Sequence, residues 1–364
     1  MKKHLLSIVL MAFAMVTTAS AQNVSTSVQK KHVLIEDFTG IHCGNCPDAD
    51  VYQERLILAQ QGNVNVICVH AGSYATAGIG EPNYITPVST EIHNQFKISS
   101  YPSALVNRTE IPGIGKIIGR SNLAACSRME ASNDALVNVW VSSKFDNTTG
   151  KIIADVELYY TGEITDGSSA LCVSLLQNKM YGQQSGGGAN ADEYEHNHVL
   201  RAMLTPAWGD TIATSGKGTL VKRHYEYRLP TVIGTESTDP LPSDVIAYVI
   251  NSDTREIYNS QLCHVSCEGM ECEMKAILEP YKIEPQRNFG FNFFDCYLIN
   301  DGNDPITSAN FNVTLNDSVM QSVWTGSIAP QERGYIRIPV DFSKQYKGSN
   351  EYAIKLTGIN GKDY

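Results

Sequence analysis

Residues 35–56 read IEDFTGIHCGNCPDADVYQERL, and within them Cys43-Gly44-Asn45-Cys46 is followed at once by Pro47. The run from His32 to Phe38 that leads into the pair has the composition of a buried strand. The residues after it, Asp48 to Gln60, set Ala49, Tyr52, Leu56 and Ala59 on one helical face. A Cys-x-x-Cys at a strand-to-helix junction puts its first cysteine at a helix N-terminus, where unpaired N–H groups and the macrodipole favour a thiolate. That makes Cys43 the attacking sulfur near neutral pH, with Cys46 one turn along to resolve a mixed disulfide. Pro47 suits the first helical turn, where its missing N–H costs nothing. His42, if protonated beside the sulfur, lowers the Cys43 pKa further; otherwise it is an exposed loop side chain. The same four residues also admit a permanent disulfide, and the rest of the chain has to separate the two readings.

Working outward, Val64 to His70 and Ser103 to Asn107 read as strands and Ser121 to Met129 as a helix, so residues 32–131 suggest a βαβ unit with a parallel sheet. Ahead of it, Lys2 and Lys3, the apolar run Leu5 to Val16 and Ala19-Ser20-Ala21 form a signal peptide over 1–21, with 22–31 as a linker. The protein is therefore expected to be exported to the periplasm or the outer-membrane surface.

Over 132–265 the apolar period changes to two. Val137, Val139 and Val141 alternate with polar residues, and Asn147-Thr148-Thr149-Gly150 turns into Ile152, Ala154, Val156, Leu158 and Tyr160. Ala170 to Gln177, Thr219 to Arg228, Val245 to Ile250 and Glu256 to Val265 add strands, the last two flanking a hairpin at Asn251-Ser252-Asp253-Thr254. This reads as a β-sandwich. Its one long irregular insert, Tyr181 to His198, is rich in Gly, Asn and acidic residues. A linker over 266–272 leads to a third region, 273–364, where Ala309, Phe311 and Val313, then Tyr352, Ile354 and Leu356, alternate again, as in an immunoglobulin-like domain. The chain stops at Lys362-Asp363-Tyr364 after a strand and a Gly turn, which fits a sandwich short of its last strand.

A formal net charge of −10 over 364 residues, with no basic run, argues against nucleic acid as a partner. No stretch of the mature chain reads as a transmembrane helix, and the helical segments break the even run of strands a transmembrane barrel needs. Outer-membrane association is expected to be peripheral. Nine cysteines are an odd set for an exported chain; Cys68, Cys172 and Cys296 fall in apolar runs and read as small buried hydrophobes. Cys263, His264, Cys267 and Cys272 have ligand chemistry that zinc accepts but match no common finger spacing, so a disulfide within the linker is the preferred reading. No metal ligand set is assigned. Two short matches, Asp210-Thr211-Ile212 and Asp317-Ser318-Val319, resemble O-glycosylation sites of Bacteroidetes.

Glu36-Asp37-Phe38 followed by Cys43-Gly44-Asn45-Cys46 resembles the thioredoxin active-site segment. The resemblance implies a thioredoxin-like domain over 32–131, with Asp37 taking the proton of the resolving cysteine. It also implies that Pro102, in Ser100-Tyr101-Pro102-Ser103, is a cis proline facing the disulfide beside Tyr101. Two features depart from it: Thr39 and His42 stand where thioredoxins carry aromatic residues, and Ala71 to Thr90 lengthens the gap to Pro102. EDFTGIHCGNCPDA together with HNHVLRAMLTPAWGD (196–210) resembles the Bacteroidetes outer membrane protein 28-related family over roughly residues 32–265. The fold expected is thus an α/β thioredoxin-like domain followed by β-sandwich, immunoglobulin-like regions. Two functions remain open. One is thiol–disulfide exchange on protein thiols or disulfides, through Cys43, Cys46, Asp37 and Pro102, with no cofactor beyond the redox-active disulfide. The other is a cell-surface binding or adhesion protein in which the pair does not turn over.

Overall fold

The computed structural model describes residues 22–59, 63–165, 167–213, 216–267, 276–280, 293–300, 302, 304–316, 318–330, 332–339 and 352–363. The expected signal peptide over 1–21, Cys272, the part of the expected linker beyond Cys267, and Asp317 lie outside them.

Chain order begins β1 (Val33–Thr39), α1 (Cys46–Ala59), β2 (Val64–His70), α2 (Pro87–Phe96), β3 (Ser103–Val106) and α3 (Leu123–Ala131). It continues with β4 (Val137–Asp146), β5 (Lys151–Tyr160), β6 (Ser169–Gln177), β7 (Met180–Gly182), β8 (Tyr194–His196), β9 (Val199–Met203), β10 (Asp210–Ile212) and β11 (Leu220–Arg228). A small hairpin of β12 (Val232–Ile233) and β13 (Glu236–Ser237) precedes the long β14 (Ser243–Asn251) and β15 (Ile257–Ser266).

These strands do not divide at residue 131. One mixed sheet of 11 strands runs β11-β5-β4-β15-β14-β6-β9-β2-β1-β3, with β10 also on β6. β1 and β2 are parallel, β3 is antiparallel to β1, and β2 meets β9 in parallel at Cys68 and Val199. The expected α/β thioredoxin-like domain followed by immunoglobulin-like β-sandwich regions is therefore corrected. The chain is mostly β, its three α-helices of 14, 10 and 9 residues lie against one large mixed sheet, and no separate α/β layer exists among the described residues.

The physical reason lies in β6 and β14, whose residues are buried throughout. Alternate side chains of a strand point to opposite faces. Leu171, Val173, Leu175, Val245, Ala247 and Val249 pack with β4 and β5 in one core. Ala170, Cys172, Leu176, Ile246, Tyr248 and Ile250 face the other way and share a second core with Leu34, Phe38, Ile67, Val69 and Ile92. A strand covered on both sides reads as a continuous apolar run, which is how SALCVSLLQ and SDVIAYVIN read. The other face of β1 and β2 is buried under α1 and α3, through Val33, Ile35, Val66, Leu56, Leu123 and Cys126.

α2 begins inside the Gly- and Pro-rich stretch Ala71 to Thr90 and runs on to Phe96. Thr86 caps it: its hydroxyl accepts from the Ser89 N–H at 3.1 Å, and Ser89 Oγ accepts from the Thr86 N–H at 2.9 Å, with Pro87 in the first turn. Toward the C-terminus, β16 (Ala276–Pro280), β17 (Phe293–Asn300) and β20 (Arg333–Pro339) form one sheet. β18 (Ile306–Leu315), β19 (Ser318–Ile328), β21 (Tyr352–Ile359) and β22 (Lys362–Asp363) form another. The alternation at Ala309, Phe311 and Val313 supplies the core between them, with Leu298, Ile336 and Ile338 opposite.

Between β1 and the central strands lies a fully buried ion pair. Arg108 donates through Nε to Glu36 at 2.6 Å and through Nη2 at 2.5 Å, both residues at 0 % exposure. The guanidinium also sits over Phe96, Trp208 and Tyr248, 5.2–5.7 Å from their ring centroids. Removing one partner leaves a buried charge uncompensated, so Glu36→Gln should lower the unfolding free energy by about 3–5 kcal/mol. In urea titrations the joint replacement Glu36→Leu/Arg108→Met should cost less than the sum of the single changes.

Candidate functional site

The chain leaves β1 through Gly40 and closes Cys43 and Cys46 into a disulfide as α1 begins. The Cys43 N–H donates to the Gly40 carbonyl at 2.9 Å and the Cys46 N–H to the Cys43 carbonyl at 3.2 Å. A Cβ on Gly40 would lie 2.4 Å from the Tyr74 carbonyl carbon, so only glycine allows the 73–75 turn to pack here. The His42 N–H donates to the Tyr74 carbonyl at 2.9 Å, and His42 Nε2 lies 3.0 Å from the Glu81 carboxylate.

Neither sulfur-bearing residue is open to solvent: Cys43 is 3 % and Cys46 0 % exposed. What covers them is the insert between β7 and β8, the stretch that sequence patterning left as irregular. The Ser185 N–H donates to the Ile41 carbonyl at 2.7 Å. The buried Gln184 amide donates to the carbonyls of Gly40 at 3.2 Å and Cys43 at 3.0 Å. Gly186, at φ +81°, packs so closely on the motif that a Cβ there would lie 2.1 Å from the Gly44 oxygen. At its far end the insert is pinned by the Tyr194 hydroxyl, which donates to Asp50 on α1 at 2.6 Å. The insert is a strap across the N-terminal end of α1. Its signal in the sequence, a Ser-Gly-Gly-Gly run at 185–188, says that the backbone passes close to something without saying to what.

The other expected site residues fall into two groups. The Tyr101–Pro102 peptide bond is cis. The Tyr101 ring packs tilted against Tyr74, centroids 5.4 Å apart, and its hydroxyl bonds His93 Nε2 at 2.5 Å, so it joins the cysteine turn through Tyr74. Asp37 points to the opposite face of β1 from Glu36 and is 1 % exposed. There it meets Asp50 and Gln53 of α1 and Cys68 of β2. Burial, and then the Asp50 carboxylate, push the Asp37 carboxyl well above the usual range. Burial also raises Asp50 to about 6, against the opposing hydrogen bond from Tyr194.

Beside the strap lies a cleft of about 790 Å³, lined in part by Glu81, Pro82, Asn83, Tyr181, Asp192 and Glu236. Behind its wall His70, Tyr84 and His196 pack ring against ring, with centroids 4.7–5.6 Å apart. Burial lowers His196 to about 4 and lowers His70 well below its ordinary value, so both rings are neutral at physiological pH. Sequence reasoning did not reach this cleft, because its walls come from three separated segments. Cys68, Cys172 and Cys296 are buried as expected. Cys263 lies beside Ser143, with Sγ and Oγ 3.2 Å apart.

The profile of the outer membrane protein Omp28 family matches residues 89–267, which take in most of α2, the strap and both central strands. That match supports an Omp28-related family for this chain. A solved domain of the outer membrane lipoprotein Omp28 from Porphyromonas gingivalis is 22 % identical, covering 36 % of this chain and 90 % of that one, at a TM-score of 0.28. HBP35 of Porphyromonas gingivalis shares the fold over 86 % of this chain and 99 % of its own, at 16 % identity and a TM-score of 0.51. A protein of Agrobacterium tumefaciens is 15 % identical over 68 % of this chain and 98 % of its own, with a TM-score of 0.43. No curated protein sequence matches. The Omp28 match supports an exported, outer-membrane or periplasmic location. Among the described residues no helix is long and apolar enough to cross a membrane, which fits peripheral association.

Two outcomes test this geometry. In Gly186→Ala the strap has to lift off Gly44, so after mild reduction Cys43 should be alkylated roughly tenfold faster than in the parent, an opening eased by about 1.4 kcal/mol. His196 is held neutral when folded, so the folded state disfavours its protonation. Its penalty is absent above about pH 6.5, grows as pH falls, and reaches about 3 kcal/mol near pH 4. His196→Gln should flatten that part of the stability–pH curve measured by chemical unfolding.

Proposed function

We propose that this protein is an outer-membrane-associated binding protein in which Cys43–Cys46 is a permanent disulfide bracing the start of α1. The observation that carries the reading is the cover over the pair: Gln184, Ser185 and Gly186 bond or pack directly onto residues 40–44, leaving Cys43 at 3 % exposure. A sulfur that must meet a protein disulfide needs an open approach, and here the strap occupies it. The family match gives a second support, since residues 89–267 include the strap and the central strands but not the cysteine motif. The cleft beside the strap, with Tyr181 at its rim, is the recess such a protein would offer a ligand.

Thiol–disulfide exchange is the second reading. Its support is the position of Cys43 ahead of the α1 N-terminus, where a thiolate gains from the helix dipole.

An insulin-reduction assay with dithiothreitol separates the two readings. Wild type and Cys43→Ala should both run at the uncatalysed rate. Acceleration by the wild type that Cys43→Ala abolishes would replace the binding reading with the exchange one.

A further inference from the structure

The face of β1 and β2 beneath α1 carries a second cluster of reactive groups, separate from the disulfide. Asp37 and Cys68 are direct partners in the parallel β1–β2 register, so their side chains emerge side by side on one face. α1 crosses that face and lays Asp50 and Gln53, three residues apart on one side of the helix, over them. One ligand atom from each of Asp37, Asp50 and Cys68 lies within 4.8 Å of the other two. Gln53, only 2 % exposed, receives Cys68 Sγ on its Oε1 at 4.0 Å and sets its side chain against the Asp37 carboxylate. Asp37 Oδ2, in a residue 1 % exposed, has no hydrogen-bond partner.

Two carboxylates and a thiol thus converge, and among the described residues no cationic side chain forms an ion pair with Asp37 or Asp50. The nearby cations pair first with other carboxylates: His198 and Arg333 lie against Glu54 and Arg120 against Asp48, with His198 also near enough to favour the Asp50 carboxylate. Buried like charges in contact must either take up protons or hold a positive ion.

We propose that Asp37, Asp50 and Cys68, with the Gln53 carbonyl as a neutral donor, bind a divalent cation of the zinc type. The donor set selects the metal. Thiolate and carboxylate oxygen both serve zinc, at about 2.3 and about 2.0 Å in a four-coordinate site. A thiolate is a poor ligand for magnesium or calcium, which take oxygen. The Tyr194 hydroxyl, donating to Asp50 at 2.6 Å, would orient that ligand from the strap. This site is independent of whether the Cys43–Cys46 pair turns over.

The test uses the full chain with Cys43–Cys46 oxidised, titrated with cobalt(II) and then with zinc. One cobalt per chain should bind with a thiolate-to-cobalt charge-transfer band in the near ultraviolet, and zinc should displace it. Cys68→Ser should lose the band, and Asp50→Asn should weaken zinc binding at least about tenfold. Cys172→Ser, which alters a buried thiol on the opposite side of the sheet, should keep the band. Should Cys68→Ser fail to fold, Asp50→Asn, at the more exposed end of the cluster, carries the test alone. A band that survives Cys68→Ser, or zinc affinity unchanged in Asp50→Asn, overturns the site. No saturable cobalt uptake by the full chain likewise overturns it.

Discussion

The buried pair of Glu36 and Arg108 is the contact on which the rest of this molecule leans. Arg108 follows β3 on a backbone in which it and Asn107 both take left-handed angles, φ 53° and 48°. Those angles are uncommon for residues with side chains. Here they carry the guanidinium back to β1, under the rings of Phe96, Trp208 and Tyr248. One charge pair thereby ties β1, α2 and β14 together, across the boundary where sequence patterning would divide the chain. A fully buried pair satisfied on one side by a bidentate carboxylate and on the other by aromatic faces is tolerated only in a fixed arrangement. That arrangement sets how the parallel strands meet the central β6 and β14.

Once β1 is held there, its alternation assigns the chemistry. Glu36 goes to the face shared with β6 and β14, and Asp37 goes to the face under α1. The loop after β1 emerges where the strap from β7 and β8 can reach it, and the cysteine turn is closed from above. Separate elements of the fold thus place a covered disulfide and a carboxylate–thiol cluster at the same end of α1. The first is governed by packing and the second by electrostatics.

Much of this was legible in the chain. The strands at Val64 to His70, Ile152 to Tyr160 and Val245 to Ile250 follow from apolar period and composition, as does the helix that begins at the cysteine pair. The resemblance to an Omp28-related family, with the envelope location it implies, could be read from the EDFTGIHCGNCPDA and HNHVLRAMLTPAWGD segments, and the family match includes the second of these. α2 escaped because its capping box uses Ser89 where Glu or Gln is the usual signal, inside a stretch rich in Gly and Pro. The strap escaped because glycine records a close approach without naming the neighbour.

By itself the sequence determined the local elements, the cysteine turn at a helix start and the export of the chain, because each depends on residues near one another in the chain. It also held the clue to two-sided burial, in the unbroken apolar runs of β6 and β14. Only the tertiary structure decided which strands meet across residue 131, what lies over Cys43, and that Asp37 faces Asp50 and Cys68. Those outcomes depend on pairings between segments far apart in the chain. A strand's period of two says that it has two faces but cannot say what will cover either one.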